Sequence, residues 1–358
     1  MKTLCLVMIV KDEESIIRRC LDSVKHLIGH WSICDTGSTD RTREIIPEIL
    51  EGIPGELHDV PWVNFGHNRT EGMRRAKGKA DYHLLLDADM TLHATEEFRH
   101  LLTADAYFLP FDGPIDYSVI RLASDRHDWH YVGATHEHVC STTAGPAQRL
   151  RTVHVKDHAD GRSRAVKYAR DIELLKGELQ VDPANSRSTF YLAQSYRELG
   201  FAFQAVEQYA KRATMGGWDE EVWYSKYQIA RAQHASAMEW PQVLHGYLDA
   251  FQYRPSRLEP LLPVARHYRE TGQYQLGFLF SRLSNEVPYP EDILFIERSV
   301  YEHALPLEYA LCCAGMQLHQ EAVRVCDQML ALPSLPTVLS QTIMAHRERS
   351  RRHVVEMT

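Results

Sequence analysis

Asp87 and Asp89 stand one residue apart at the end of an apolar run, Tyr82 to Leu92 (YHLLLDADMTL). Two carboxylates with only Ala88 between them repel one another and resist leaving water unless a cation neutralises them. All-oxygen ligation with an incomplete shell suits a hard divalent ion, Mg²⁺ or Mn²⁺, that completes its coordination on a diphosphate. A turn carrying two solvated acids accounts for the same tripeptide, because aspartate is a common turn former. Company elsewhere in the chain decides between the two.

The elements that would position these acids follow one another as strand, helix, strand, helix. Leu4–Val10 (LCLVMIV) is a short apolar run that reads as a buried strand. Lys11–Ser15 turns the chain, and Ile16, Ile17, Cys20, Leu21 and Val24 recur at helical spacing, with acids expected in that helix's first turn. Trp31–Cys34 is a second strand ending at Asp35, which can accept from a base or ribose group. Gly37 permits a tight turn there, and Ser38, Thr39 or Asp40 can cap the next helix. Val60-Pro61-Trp62 is expected as the third strand, and Phe65–Arg69 as its outlet into a helix that Gly78 ends. A helix N-terminus beside an arginine, Arg69, is a place for phosphate. The Tyr82 run would then be a strand with both acids at its carboxyl end, where open α/β sheets hold ligands. Ala106–Leu122 supplies further strands of the same sheet.

With 358 residues the chain has room for two cores. A hydrophobic content of 44% and a charged content of 25% are those of an ordinary globular protein. The net charge of −8 argues against a general binder of nucleic acid or anionic membrane. No run approaches the roughly 20 apolar residues of a membrane span, and Leu4–Val10 is too short for a secretory signal. Seven cysteines without regular spacing suggest reduced thiols and a cytoplasmic location.

Taken together, LCLVMIVKDEESIIRRCLDSV, ICDTGSTDRTREII and FGHNRTEGMRRAKGKADYHLLLDADM resemble, in the right order, the nucleotide-sugar-binding half of family-two, GT-A-fold glycosyltransferases. The resemblance covers nearly all of residues 1–92. It implies a nucleoside-diphosphate sugar donor, usually UDP-linked, and a Mg²⁺ or Mn²⁺ ion on the D-x-D. It also implies that Val10, Asp12 and Asp35 surround the nucleoside, that Arg69 and Asp87 lie near ribose and diphosphate, and that Asp89 is the direct metal ligand. Transfer with inversion needs a group that takes the acceptor's proton. In the resembling enzymes with a C-terminal helical domain a Gly-x-x-His-Glu segment recurs, which points to Glu137 in Gly133–His138, with Asp128 as the alternative base. His136-Glu137-His138 is not H-E-x-x-H, so no helical zinc face is implied. A histidine before a Gly-Arg-Ser-like segment points to His158 as a further metal ligand, with His154 second.

Beyond Ser163 strand-like runs cease. Boundaries of 1–163 for the GT-A domain and 164–358 for an all-α domain are therefore expected. Leu192, Ala193, Tyr196, Gly200, Ala205 and Tyr209 fall on the small and aromatic positions of a tetratricopeptide repeat. Ala265, Tyr268, Gly272 and Gly277 repeat the pattern, Ala310, Gly315 and Ala322 do so more loosely, and Val243, Tyr247, Ala250 and Pro255 form a degenerate copy. Met215–Glu221, containing Gly-Gly-Trp, reads as a rigid turn between helices. The resembling two-domain enzymes include peptide-modifying ones, so a peptide or protein acceptor is expected, with the helical half presenting it or forming a homodimer. An inactive helical-repeat scaffold is the alternative. A nucleotidyltransferase is disfavoured because Val10–Glu13 is acidic and glycine-free.

Overall fold

The computed structural model describes residues 1–160, 167–333 and 335–356. The chain divides into two compact units, residues 1–208 and 209–358. The expected boundary at 163–164 lies outside the described residues.

In the first unit the strands are β1 (Leu4–Val10), β2 (His30–Asp35), β3 (Gly55–Asp59), β4 (Tyr82–Leu85), β5 (Met90–His93), β6 (Ala106–Pro110), β7 (Ile115–Asp116), β8 (Ser118–Ser124), β9 (His130–Val132), β10 (His138–Cys140), β11 (Gln148–Arg149) and β12 (His154–Asp157). Its helices include α1 (Ile17–Val24), α2 (Thr42–Ile49), α3 (Phe65–Ala76), α4 (Lys167–Val181) and α5 (Ser186–Glu198). Seven strands form one mixed sheet in the order β11-β6-β8-β4-β1-β2-β3. Strands β4, β1, β2 and β3 run parallel, and β8 is antiparallel to both of its neighbours.

Side chains alternate across a strand, so β1 feeds two cores. Leu4, Leu6, Met8 and Val10 pack with Ile17, Leu21, Ile33 and Leu84 on one face. Cys5 and Val7 pack with Met73, Ala76, Leu85 and Ala123 on the other. Burial on both faces explains why this strand reads as a continuous apolar run.

Two expectations are corrected. The third strand is Gly55–Asp59 and not Val60-Pro61-Trp62. Val60 still donates to the Asp35 carbonyl (2.9 Å), but Pro61 has no N–H and the ladder stops there. The acids Asp12 to Glu14 precede α1, whose first turn holds none. They instead lace the loop after β1 to the loop after β2: Glu13 N donates to Thr42 Oγ1 (2.8 Å), and Arg41 N donates to Glu14 Oε2 (3.0 Å).

In the second unit, helices pair as antiparallel hairpins. These include α7 (Asp219–Ala235) with α8 (Trp240–Tyr253), α9 (Leu261–Glu270) with α10 (Tyr274–Ser281), and α11 (Leu305–Gly315) with α12 (His319–Leu330), after α6 (Ala202–Thr214) and before α13 (Thr337–Glu356). Three of the turns share one device: Ala237, Gly272 and Gln317 take positive φ, and the next amide bonds back across the turn. The expected repeat positions Val243, Tyr247, Ala250, Ala265, Ala310 and Ala322 are buried. The Gly-Gly-Trp turn is pinned by buried Arg212, which donates to the carbonyls of Gly216 (2.7 Å) and Trp218 (3.2 Å) and to Glu221 (3.0 Å).

Candidate active site

Strand β4 ends at Leu85, and the chain turns through Asp87, Ala88 and Asp89 before β5. The turn is closed by Met90 N donating to the Asp87 carbonyl (3.0 Å). Asp87 meets two guanidinium groups. Arg69 Nη2 from α3 lies 2.6 Å from Oδ1, and Arg121 Nη2 from β8 lies 3.5 Å from Oδ2. Burial works against the ionised carboxylate, but the two positive charges outweigh it and hold Asp87 below the usual aspartate range. Arg69 reaches further: its Nε donates to Glu137 Oε1 at 2.6 Å, and its guanidinium lies 5.9 Å from the Tyr131 ring centroid. One half-buried arginine therefore joins the D-x-D turn to the expected base.

Glu137 sits in the loop Gly133–Glu137 of the β9–β10 hairpin. The N-terminus of α3 fixes the near side of that loop. Asn64 caps the helix by accepting from His67 N (2.8 Å), Phe65 N donates to the Ala134 carbonyl (3.2 Å), and Thr70 Oγ1 accepts from Tyr131 N (2.9 Å). Gly66 is required here, because a Cβ on it would come within 2.2 Å of the Gly133 carbonyl oxygen. Gly133 has φ +109°, a conformation that favours glycine. Asp128, the alternative base, projects into solvent beside Lys77 (3.0 Å) and has a side chain 98% exposed.

Of the residues expected around a nucleoside, Val10 and Asp35 end neighbouring strands in register. Asp35 is buried, and its Oδ1 accepts from Gly37 N and Ser38 N, both at 2.9 Å. Its Oδ2 is buried and has no hydrogen-bond partner among the described residues. A buried carboxylate oxygen without a donor is costly unless something supplies one. Asp12 is spent differently: in the left-handed region (φ +56°), its Oδ1 accepts from Thr39 N (2.7 Å) and Thr39 Oγ1 (3.1 Å). These bonds tie the two loops together and hold its carboxyl below the ordinary value.

Asp89 and His158 are brought together by the pairing of β5 with β12. Met90 faces Asp157 in that antiparallel register, and His158 N donates to the Asp89 carbonyl (3.0 Å). The same pairing puts His154 opposite His93, at the far end of the strand and 3.2 Å from Asp112. The His158 imidazole lies 3.0 Å from Thr91 Oγ1. Burial, with the charges of Arg19 and Lys156, pushes its pKa down, which favours the neutral, ligating form. Among the described residues no group of three or more His, Cys, Asp and Glu side chains is arranged to hold a metal. A carboxylate oxygen suits Mn²⁺ or Mg²⁺, whereas a neutral imidazole nitrogen is a softer donor that fits Mn²⁺ better than Mg²⁺.

Arg121 was not among the expected residues. A signal was available, since a charged residue within the strand SVIRL needs a partner if the strand is central. Tyr131, whose phenol burial pushes up to about 12, is the other addition.

Residues 5–109 match the family described as glycosyl transferase family 2. A TPR repeat-containing protein of Synechococcus elongatus is 37% identical over 310 residues, which cover 78% of this chain and 74% of that one. Among solved structures, S. aureus TarS 1–349 in complex with UDP-GlcNAc aligns at a TM-score of 0.38 with 10% identity, over 66% of this chain and 93% of that one. MamA aligns at 0.36 with 16% identity, over 49% and 93%. By the extent and identity of its match to the Synechococcus protein, the chain belongs to that protein's family, a family-two glycosyltransferase domain followed by a tetratricopeptide-like helical region.

Proposed function

We propose that this glycosyltransferase is inverting and metal-dependent, that its donor is a UDP-sugar, and that its acceptor is a peptide or protein. The observation that carries the proposal is the shared guanidinium of Arg69, 2.6 Å from both Asp87 and Glu137. It joins the carboxylate turn expected at the diphosphate to the carboxylate expected at the acceptor.

In this scheme Asp35 Oδ2 accepts an N–H from the base, and Val10 packs against the nucleoside. Arg69, with Arg121 behind it, faces the donor's negative charge. Asp89, with His158, would hold Mn²⁺ or Mg²⁺, whose bound charge offsets that growing on the departing diphosphate. Glu137 takes the proton of an acceptor hydroxyl or thiol. The acceptor's electron pair forms the new bond to the anomeric carbon, while the old bond's pair leaves with the diphosphate from the opposite face. Inversion follows from that geometry. The helical half is assigned to presenting the acceptor or to pairing two copies. The seven cysteines are free thiols, which suits a cytoplasmic enzyme; no helix among the described residues is long and apolar enough to cross a membrane.

The test is UDP release from a panel of UDP-sugars with Mn²⁺, in wild type and Asp89→Asn. The variant is expected to lose metal-dependent turnover while its stability stays within about 1 kcal/mol, because Asp89 is only half-buried and the amide keeps the side chain's size. Full activity in the variant removes the ion from the mechanism. UDP binding without any turnover by wild type turns the assignment toward an inactive scaffold.

A further inference from the structure

We propose that the first helical pair, α4 and α5, positions the catalytic base, with Asp171 as the principal positioning residue. This rests on the assignment of Glu137 as base.

Three consecutive residues before Glu137 are held by groups on these two helices, which lie in the same compact unit. Ala134 N donates to Glu178 Oε1 (2.6 Å), and Glu178 is itself held by Ser188 Oγ (2.7 Å). Thr135 Oγ1 donates to Asp171 Oδ1 (2.9 Å), and His136 Nε2 lies 3.3 Å from Asp171 Oδ2. The His136 ring stacks on Tyr191 at 4.1 Å and 8°, and its carbonyl accepts from Arg187 Nε (3.0 Å). Arg187 in turn lies over the Tyr191 ring at 4.8 Å.

Ordinary packing between a loop and a helix pair would be apolar and tolerant of small shifts. Here the contacts are directional and reach backbone and side chain of successive residues. Asp171 is completely buried, and with Arg170 Nη2 at 3.6 Å on its own helix it would still lose its bond from Thr135 and its contact with His136 if the loop moved away. His136 also sits in the left-handed region (φ +49°), which a residue with a Cβ keeps only where its surroundings hold it. That conformation sets the direction in which the chain enters Glu137. The Glu137 carboxylate accepts from Arg69, a group expected to turn toward an arriving diphosphate. Once it does, the aim of the base depends on the backbone, and so on α4 and α5.

The experiment uses full-length Asp171→Ala, Asp171→Asn and Tyr191→Phe, the last retaining the stacked ring. Three quantities are read: hydrogen exchange of amides 133–138 against 84–86, stoichiometry and affinity for UDP with Mn²⁺, and kcat and KM for UDP release from UDP-N-acetylglucosamine. In Asp171→Ala, exchange at 133–138 is expected to rise about tenfold or more while 84–86 are unchanged, as for a local opening. UDP stoichiometry and donor KM should stay near wild type while kcat falls roughly 10- to 100-fold, the effect of displacing a reacting group by about 1 Å. Asp171→Asn should show a smaller loss than Asp171→Ala, and Tyr191→Phe, which keeps the stacked ring, should stay near wild type. A kcat loss matched by lost UDP-binding sites would make Asp171 merely structural and overturn the proposal. So would unchanged exchange and kcat in Asp171→Ala. If wild type binds UDP but turns over no UDP-sugar, the glycosyltransferase mechanism fails separately, and exchange alone decides whether Asp171 holds the loop.

Discussion

Arg69 Nε and Glu137 Oε1 lie 2.6 Å apart, although 68 residues separate them in the chain. The same guanidinium, through Nη2, reaches Asp87 at 2.6 Å. Its burial would favour loss of the proton, but the two carboxylates more than reverse that and raise its pKa. In this arrangement Glu137 accepts from Arg69, and in the proposed scheme an incoming diphosphate would compete with it for the arginine.

Glu137→Gln tests the role of that carboxylate directly. The amide oxygen can still accept from Arg69, so donor affinity should change little. Turnover should fall by the roughly 10²- to 10⁴-fold of a lost general base. UDP titration and UDP-release kinetics on the same preparation separate the two effects, and equal turnover would move the base elsewhere.

Gly66→Ala acts on the loop without touching a charged group. The added Cβ would meet the Gly133 carbonyl oxygen at 2.2 Å, and both partners are backbone, so neither can rotate aside. A destabilisation of about 1–3 kcal/mol is expected, as for overpacking elsewhere, together with lower turnover because Gly133 leads into Glu137. Urea denaturation and UDP release check both; wild-type values in each would mean that the loop is freer than its contacts imply.

Asp35→Asn separates the two oxygens of one side chain. The amide oxygen can keep the bonds from Gly37 N and Ser38 N, but an NH₂ would stand where unpartnered Oδ2 now lies. A donor facing a donor should weaken UDP binding about 10- to 100-fold, the cost of roughly 1–3 kcal/mol for an unmade buried bond. Isothermal titration with UDP reads this, and undiminished affinity would place the uracil elsewhere.

Tyr131→Phe bears on alkaline stability. Burial raises the phenol to about 12 against the opposing pull of Arg69, whereas the unfolded side chain titrates near its ordinary value of about 10. The contribution of the neutral phenol is therefore fully present below about pH 10 and is lost as pH rises toward about 12. The variant should lose less stability than wild type across that window in urea titrations. Identical losses would mean that Tyr131 ionises in the folded protein as freely as in the unfolded chain.

Much of the frame was legible because burial leaves a local trace. Strand β1 reads as an unbroken apolar run since it is covered on both faces, and the acids after β4 read as ligands since they interrupt such a run. The repeat positions of the helical half were visible in the same way, through small residues where helices approach. Arg121 was harder, because one arginine in SVIRL has the look of a solvated strand position until β8 is known to lie between β4 and β6. Asp171 and Glu178 were harder still: on a helix with six charged residues among fifteen, nothing local tells an inward acid from an outward one.

The sequence by itself determined the strand-and-turn placement of Asp35, Asp87 and Asp89, because the period of apolar residues is a short-range property of the chain. The tertiary structure alone decided which side chains meet. Pairing of β5 with β12 set His158 rather than His154 beside Asp89, and α3 folding against the β9–β10 hairpin put Arg69 on Glu137. Partners tens of residues apart are chosen by strand register and helix packing, and neither is written in the residues adjacent to the contact.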